Sequence, residues 1–509
     1  MILVTAQPPR IERLPGADRR SSSCGVRLIL LLNLLGTLTW SQPLVIRGVT
    51  VIDGTDHAPR PDMTVMIVGD RIAAVSPSKN TKIPTNARVV DGSGKFLIPG
   101  LWDMHAHGAS DVRAPWSHLL FLANGVVGVR DMAGPPDAHA WRLGHTSSDN
   151  RSVSVYLGSP IVDGPSPVWA DSIIAANEAQ GREVVDQQQQ CGADFIKIYD
   201  RLPRDVYFAI ADEAHKRGIP FEGHVPESVT VAEASNAGQK SIEHLTFVAE
   251  ACSREEAPIL AEQRSVNEVF RSPSATMEEK VAAGKRWIRM EARKHETYDE
   301  AAAQSLFARF VRNGTWLCPT LTLIRGQMDE PLPLDDPRLN YLSKAVRAFW
   351  DAGYHKHLPA AARDPLIASA KVDFEDSLKI VGRMHRAGVN ILAGTDTMNP
   401  QCFPGFGLHD ELALLVDAGL SPLAALQSAT RNAARFMGTL EVLGTIETGK
   451  KADLVLLNKD PLADIHNTRS IEAVVVNGQL MPRATLEEML AEAQALASRP
   501  DAGGPGKRN

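Results

Sequence analysis

The sequence predicts an α/β protein in which a (β/α)8 TIM barrel is inserted in a small β-sandwich formed by both chain ends. Three observations point there. The middle of the chain carries eight apolar strand-like runs, each followed by helical or loop sequence, and strands alternating with helices indicate parallel βα units. Short strands separated by Gly, Asp and Pro turns fill residues 44–98, and the same texture returns over 452–478, so one sandwich can draw on both ends. The length of 509 residues suffices for a large barrel and a smaller accessory domain. The expected order is an N-terminal extension and leader (1–41), the N-terminal sandwich segment (42–98), the barrel (99–435), the C-terminal sandwich segment (436–482), and a C-terminal helix and tail (483–509).

The first segment differs from the rest. Residues 1–25 are polar and rich in Pro, Arg and Ser, and Arg27 then precedes the run Leu28-Ile29-Leu30-Leu31-Leu32-Asn33-Leu34-Leu35. A membrane-spanning helix needs about 20 apolar residues, so this run is too short to span and suits the core of a secretory signal. Thr39 and Ser41 would occupy the −3 and −1 positions of a cut before Gln42. A start at Val26 would make the leader compact, whereas a start at Met1 adds an unusually long flank with Arg10, Arg13, Arg19 and Arg20. The competing reading is a buried apolar strand or helix. The expectation is an exported protein, periplasmic or extracellular, with no membrane contact after leader removal.

Within 42–98, the runs 44–46, 49–52, 64–68 and 71–75 alternate with turns, Gly69-Asp70 reads as a hairpin turn, and 88–91 and 96–98 continue the pattern. The eight barrel runs are 97–107, 126–131, 153–158, 195–199, 220–225, 241–245, 315–321 and 389–396. Two connections, from His244 to Trp316 and from Cys318 to Ile391, each span about seventy residues, against about 30 for a plain barrel repeat. Their extra sequence is helical in character, as at 277–292 and 342–352. Helices inserted there could wall a substrate pocket or merely decorate it. Composition is that of a globular protein, with 44% apolar and 22% charged residues. The formal net charge of −6 and the lack of a long basic run argue against a nucleic-acid partner. Five scattered cysteines (Cys24, Cys191, Cys252, Cys318 and Cys402) suit neither a disulfide framework nor a thiolate zinc site.

The chemistry concentrates at the ends of the barrel runs. In Pro99-Gly100-Leu101-Trp102-Asp103-Met104-His105-Ala106-His107, the two histidines stand at i and i+2 and so face one side of a strand. The spacing alone is weak, because His355-Lys356-His357 shares it in a polar stretch before Pro359. Lys197 interrupts the apolar run Asp194-Phe195-Ile196-Lys197-Ile198-Tyr199, where a lysine is costly unless paired or neutralised. It could be a salt-bridged core residue, or it could react with CO2 to give an anionic carbamate able to bridge two cations. His224 and His244 each follow a run and taken singly could be structural, and Asp396, closing Gly394-Thr395-Asp396, could be a helix N-cap. Taken jointly, ligand-type residues end runs one, four, five, six and eight, and active sites of this fold gather at those ends.

With these motifs the chain resembles the amidohydrolase superfamily, in the branch with imidazolonepropionases and metal-dependent Xaa-Pro dipeptidases. The resemblance extends from about Leu44 to Gly478 and includes Ala429-Thr430-Arg431-Asn432-Ala433-Ala434 and the segment from Gly444 to Leu454. It implies a hydrolase that cleaves an amide, peptide or lactam-like C–N bond with a metal-bridging hydroxide. It also implies two divalent ions, zinc foremost: His105, His107 and Asp396 on the first, His224 and His244 on the second, carboxylated Lys197 between them. Asp396 would carry the proton from attacking water to leaving amine. Related dipeptidases often place Tyr or His two positions after the histidine of strand five, where Pro226 stands here. Proline offers no side-chain donor, and Tyr199 is a candidate replacement. His409 could touch substrate or simply open the helix after strand eight. Two other readings remain at this point: a mononuclear deaminase or imidazolonepropionase-like enzyme with Lys197 unmodified, and a non-catalytic binding protein. The expected partner is a small-molecule or peptide-like substrate, and homo-oligomerisation is left open.

Overall fold

In a computed structural model, residues 42–111, 114–144, 151–328, 332, 335–353, 360–500 and 502 are described. The expected leader and the pair His355 and His357 lie outside the described residues. The strands on the N-terminal side are β1 (Leu44–Val51), β2 (Arg60–Val68), β3 (Arg71–Pro77), β4 (Arg88–Asp91) and β5 (Phe96–Pro99). The middle holds β6 (Leu101–Ala106), β7 (Val126–Asp131), β8 (Ser154–Leu157), β9 (Val162–Asp163), β10 (Ile173–Ile174), β11 (Ile196–Ile198), β12 (Phe221–Gly223), β13 (Ser241–Glu243) and β14 (Trp316–Cys318). The C-terminal side returns β15 (Leu454–Leu457), β16 (Ile471–Val476) and β17 (Gln479–Pro482).

Both ends of the described chain meet in one sheet, in the order β17-β16-β15-β5-β1-β2-β3 with β4 beside β1. The join is the antiparallel pairing of β15 with β5, Leu456 opposite Leu97. Side chains alternate across it with the two-residue period of a strand. Leu454, Leu456, Ala473 and Val475 bury with Leu44, Ile46, Val65 and Ile67, while Val455, Leu457, Val474 and Val476 face the large central core. The hairpin turn expected at Gly69-Asp70 joins β2 to β3.

The middle strands pair in parallel in two runs, β6-β7-β8 and β10-β9-β11-β12-β13-β14. Single parallel bridges, Gly158 to Phe195, Leu317 to Ile391 and Ala106 to Thr397, link these runs to each other and to the segment on either side of Asp396. The fold is therefore mixed α/β, with parallel strands in the middle and helices between them.

Two of the eight expected runs differ from the structure. The first is not one strand: Gly100 separates β5, in the end sheet, from β6, in the parallel set. A Cβ at Gly100 would lie 2.5 Å from Val127 Cγ2, so the crossing between sheets needs glycine. The eighth run makes bridges but no strand. Thr395 and Asp396 both donate their N–H to the carbonyl of His105, which breaks the ladder register, and Asp396 takes the left-handed φ of 57°. Gly394 permits the approach, since a Cβ there would sit 2.6 Å from His105 N.

The long connection after β13 folds into helices Glu256–Arg271 and Met277–Glu296. They share a small core of their own: Ile259, Val266, Ala283, Trp287 and Met290. Thr276 and Glu279 close a reciprocal capping box at the start of the second helix. The helix expected near 342–352 runs Lys344–Gly353, and the C-terminal helix Arg483–Ala497 buries Leu486, Met489, Ala493 and Ala497 in the large core, which also takes in Trp116–Ala123.

Candidate metal centre

All six candidate residues come together. His105 lies near the end of β6 with His107 just beyond it, Lys197 is central in β11, His224 and His244 follow β12 and β13, and Asp396 ends the eighth segment. Asp396 Oδ1 is 3.3 Å from His105 Nε2 and 3.0 Å from His107 Nε2, and its Oδ2 is 3.8 Å from His244 Nε2. The His224 and His244 ring centroids are 4.8 Å apart. The charge of Lys197 acts on both of those imidazoles.

Three of the imidazoles are oriented from behind. His105 Nδ1 meets Glu243 Oε2 at 2.8 Å, His224 Nδ1 meets Asp200 Oδ1 at 2.7 Å, and His244 Nδ1 meets Thr320 Oγ1 at 2.7 Å. Occupying Nδ1 in this way turns each Nε2 toward the cluster. Burial lowers the His224 pKa and takes that of His244 well below the ordinary imidazole value, which favours the neutral ring that binds metals. Thr320 sits in a left-handed turn (φ 48°), and buried Glu411 holds that turn by accepting the N–H groups of Leu321 and Thr322.

The donor set fits divalent cations. His105 Nε2, Lys197 Nζ and Asp396 Oδ1 are buried and make no hydrogen bond of acceptable geometry, although the histidine and aspartate atoms stand close. Atoms that face a common point rather than each other behave this way, and unpartnered buried polar atoms are otherwise rare. Desolvation opposes charge on Asp396, but its neighbours, His105 foremost, outweigh it and hold the carboxyl well below the usual range. Burial lowers the Lys197 pKa to about 8. Lys197 makes no ion pair among the described residues, so the salt-bridged reading has no partner. The N-cap reading of Asp396 also lacks its helix, because the next one begins at Phe406 after Gly405.

Beneath the histidines lies a charged floor that sequence reasoning missed. Arg130, Glu222 and Glu243 are all 0% exposed. Arg130 donates to Glu222, to both Glu243 oxygens, to Ser241 Oγ and to the Met104 carbonyl. Asp103 holds Thr395 through its N–H and its hydroxyl, and so steadies the residue before Asp396. The signal was available: each of these charges interrupts an apolar strand run, as Lys197 does.

The remaining candidates separate. His409 is buried away from the cluster, bonded to the Asn124 carbonyl and Thr468 Oγ1, with its pKa lowered to about 4 by burial; it ties segments together. Tyr199 is at the site, stacked on His224 at 4.1 Å, with its hydroxyl accepting from Trp169 Nε1 at 3.0 Å. After Pro226, Glu227 anchors the inserted helix Glu256–Arg271 through Asn267 and Arg271. The insertion after β13 thus reaches a residue three places from His224.

Residues 201–481 match the model of the amidohydrolase family. A stretch of 96 residues is 40% identical to an imidazolonepropionase of Aromatoleum aromaticum, covering 18% of this chain and 22% of that protein. The match thus spans about a fifth of the length of that curated relative. Among solved structures, bottromycin amidohydrolase is similar with a TM-score of 0.67 and 25% identity, covering 91% of this chain and 92% of that one. A Xaa-Pro dipeptidase with methionine bound in its active site shares the fold, with a TM-score of 0.59 at 17% identity over 87% of this chain and 100% of that one.

Proposed function

The chain belongs to the amidohydrolase family, and from that premise we propose that it is a metal-dependent hydrolase cleaving a C–N bond of amide, peptide or lactam-like type. The observation that carries the reading is the convergence of His105, His107, His224, His244 and Asp396 around atoms left unpartnered, with Lys197 among them. The architecture in this reading is a closed (β/α)8 barrel over 99–435, carried by a β-sandwich of 42–98 and 436–482. The succession of parallel pairings from β6 through β14 to Ile391, and from Thr397 back to Ala106, supports closure.

His105, His107 and Asp396 would hold one ion and His224 and His244 the other, with Lys197 as a carbamate between them. The imidazole and carboxylate donors suit zinc. Two such ions would supply Lewis acidity to a carbonyl and acidify water near neutral pH. What the protein itself contributes is orientation and proton transfer. Asp396 Oδ1 or Oδ2 takes the proton of the attacking water and returns it to the leaving nitrogen. Its ionised resting state keeps it ready to accept. Lys197 reaches the carbamate by attack of its neutral amine on CO2, the N–C bond forming as one amine proton passes to water, and a pKa of about 8 leaves a useful neutral fraction at physiological pH. Tyr199 has a hydroxyl hydrogen still free to donate toward substrate, a role that Pro226 cannot fill.

A small-molecule or peptide-like substrate follows from this chemistry. Export belongs to the same reading, supported by the apolar run from Leu28 to Leu35, and N-terminal sequencing of protein from its host should find a start near Gln42. Metal analysis of the purified protein, run beside a hydrolysis screen of dipeptides and N-acyl amino acids, tests the function. Two divalent ions per chain, with hydrolysis lost on chelation and restored by zinc, is the expected result. One ion with deamination favours the mononuclear reading, and bound metal without turnover favours a binding protein.

A further inference from the structure

We infer that Glu243, clamped by Arg130, is a positioning residue that fixes the tautomer of His105 and so aims Nε2 at the ion of the His105–His107–Asp396 half. The inference rests on the metal-centre reading above. Its basis is the distribution of bonds on one carboxylate. Glu243 Oε2 is shared by His105 Nδ1 and Arg130 Nη2, both at 2.8 Å. Its Oε1 accepts from Arg130 Nη2 at 3.0 Å and from Ser241 Oγ at 2.5 Å. Arginine suits this place because its planar head directs Nη2 to both Glu243 oxygens, Nη1 to Glu222 and Ser241, and Nε to the Met104 carbonyl. The cation is itself held on the far side by Glu222 Oε2 at 2.8 Å and by the carbonyl of Met104, the residue preceding His105. The clamp therefore fixes both the acceptor that His105 Nδ1 must satisfy and the strand that carries the ring. With an anionic oxygen held at Nδ1, the proton belongs on Nδ1 and the lone pair on Nε2.

The other half of the centre is oriented differently. His224 relies on Asp200, whose side chain is 24% exposed, and His244 relies on the neutral hydroxyl of Thr320. Disturbing Glu243 should therefore affect one ion and spare the other. This selectivity separates positioning from a general contribution to folding.

The test is a zinc titration of metal-stripped protein against a chromogenic chelator, on wild type, Glu243→Gln and Glu243→Asp, with thermal melts of the metal-free forms. Glutamine removes the negative charge that fixes the proton. Aspartate keeps the charge facing Arg130 but draws it back from His105. The expected result is that one of two zinc ions binds roughly 10- to 100-fold more weakly in each variant, while the other keeps wild-type affinity. Wild-type affinity for both ions in the folded variants, whatever the shift in melting temperature, overturns the inference and leaves Glu243 a structural ion pair. If the glutamine variant does not fold, the aspartate variant decides by the same two outcomes. Failure of the wild type to bind zinc would instead overturn the metal-centre reading.

Discussion

Two regions of the molecule gather histidine, lysine and carboxylates out of water, and they differ in what those groups do for one another. At the centre, His105 Nε2, Lys197 Nζ and Asp396 Oδ1 have no hydrogen-bond partner. In the insertion, Glu291, Lys294 and His295 of helix Met277–Glu296 meet Asp373 and Asp376 of helix Ala360–Arg386. There Lys294 Nζ lies between the Glu291 carboxylate and Asp373 Oδ1, the latter at 2.7 Å, and His295 Nδ1 meets Asp376 Oδ2 at 2.6 Å. One ring nitrogen, His295 Nε2, lacks a hydrogen bond, 3.9 Å from Asp373. The carboxylates already have their cation, and an added metal would have to displace it. By donor type alone, Glu291, His295 and Asp373 group as readily as His105, His107 and Asp396. What separates a fastening from a site is whether the protein satisfies its own donors.

The contrast breaks most sharply at Asp396. Asp396→Asn keeps size and one ligating oxygen but cannot carry a proton at neutral pH, so turnover should fall roughly 100- to 10,000-fold with metal content largely retained. Turnover and bound zinc measured on one preparation would show otherwise if the base lies elsewhere. Next in size is the insertion. Lys294→Met leaves Glu291 and Asp373 facing each other without their cation, and losing one partner of a buried pair costs about 3 kcal/mol, at the low end because Asp373 is 29% exposed. Denaturant melts should register that loss while zinc content stays at the wild-type level. Unchanged stability, with extra zinc bound per chain, would mean that these carboxylates serve a metal rather than a fastening.

A smaller effect concerns pH. Carbamate formation needs neutral Lys197, and its pKa of about 8 means that the ammonium form dominates below that value. The neutral fraction rises as pH rises, about fiftyfold from pH 6 to pH 8 for such a group, and little further above. The rate at which metal-stripped protein regains zinc, measured at a fixed dissolved CO2 concentration rather than at fixed total bicarbonate, should follow that curve. A rate flat across this range would mean that Lys197 is not carboxylated on the way to the loaded state.

Much of the site was legible in sequence because its residues stand where strands end. His105 and His107 share one face through the two-residue period, and Lys197 announces itself as a charge within an apolar run. The supporting shell was harder to read. Asp200 and Thr320 lie in loops, and only the fold brings Asp200 to His224 and Thr320, 76 positions away, to His244. Glu243, Glu222 and Arg130 could have been flagged by the cost of burying charge, the argument already applied to Lys197. Their pairing joins β7 of one parallel run to β12 and β13 of the other, a meeting that no local pattern encodes. The eighth run misled as a strand because its apolar residues are buried, while Gly394 and the left-handed turn at Asp396 bend the backbone out of the ladder.

The central claim is that Lys197 completes a two-ion centre. Bound zinc per chain, counted in wild type and in Lys197→Ala after identical loading in bicarbonate, tests it most directly. The account predicts two ions in wild type, loss of most metal and activity in the alanine variant, and partial recovery of both when a short carboxylic acid is added in place of the carbamate. An alanine variant that keeps two zinc ions and full turnover would contradict it.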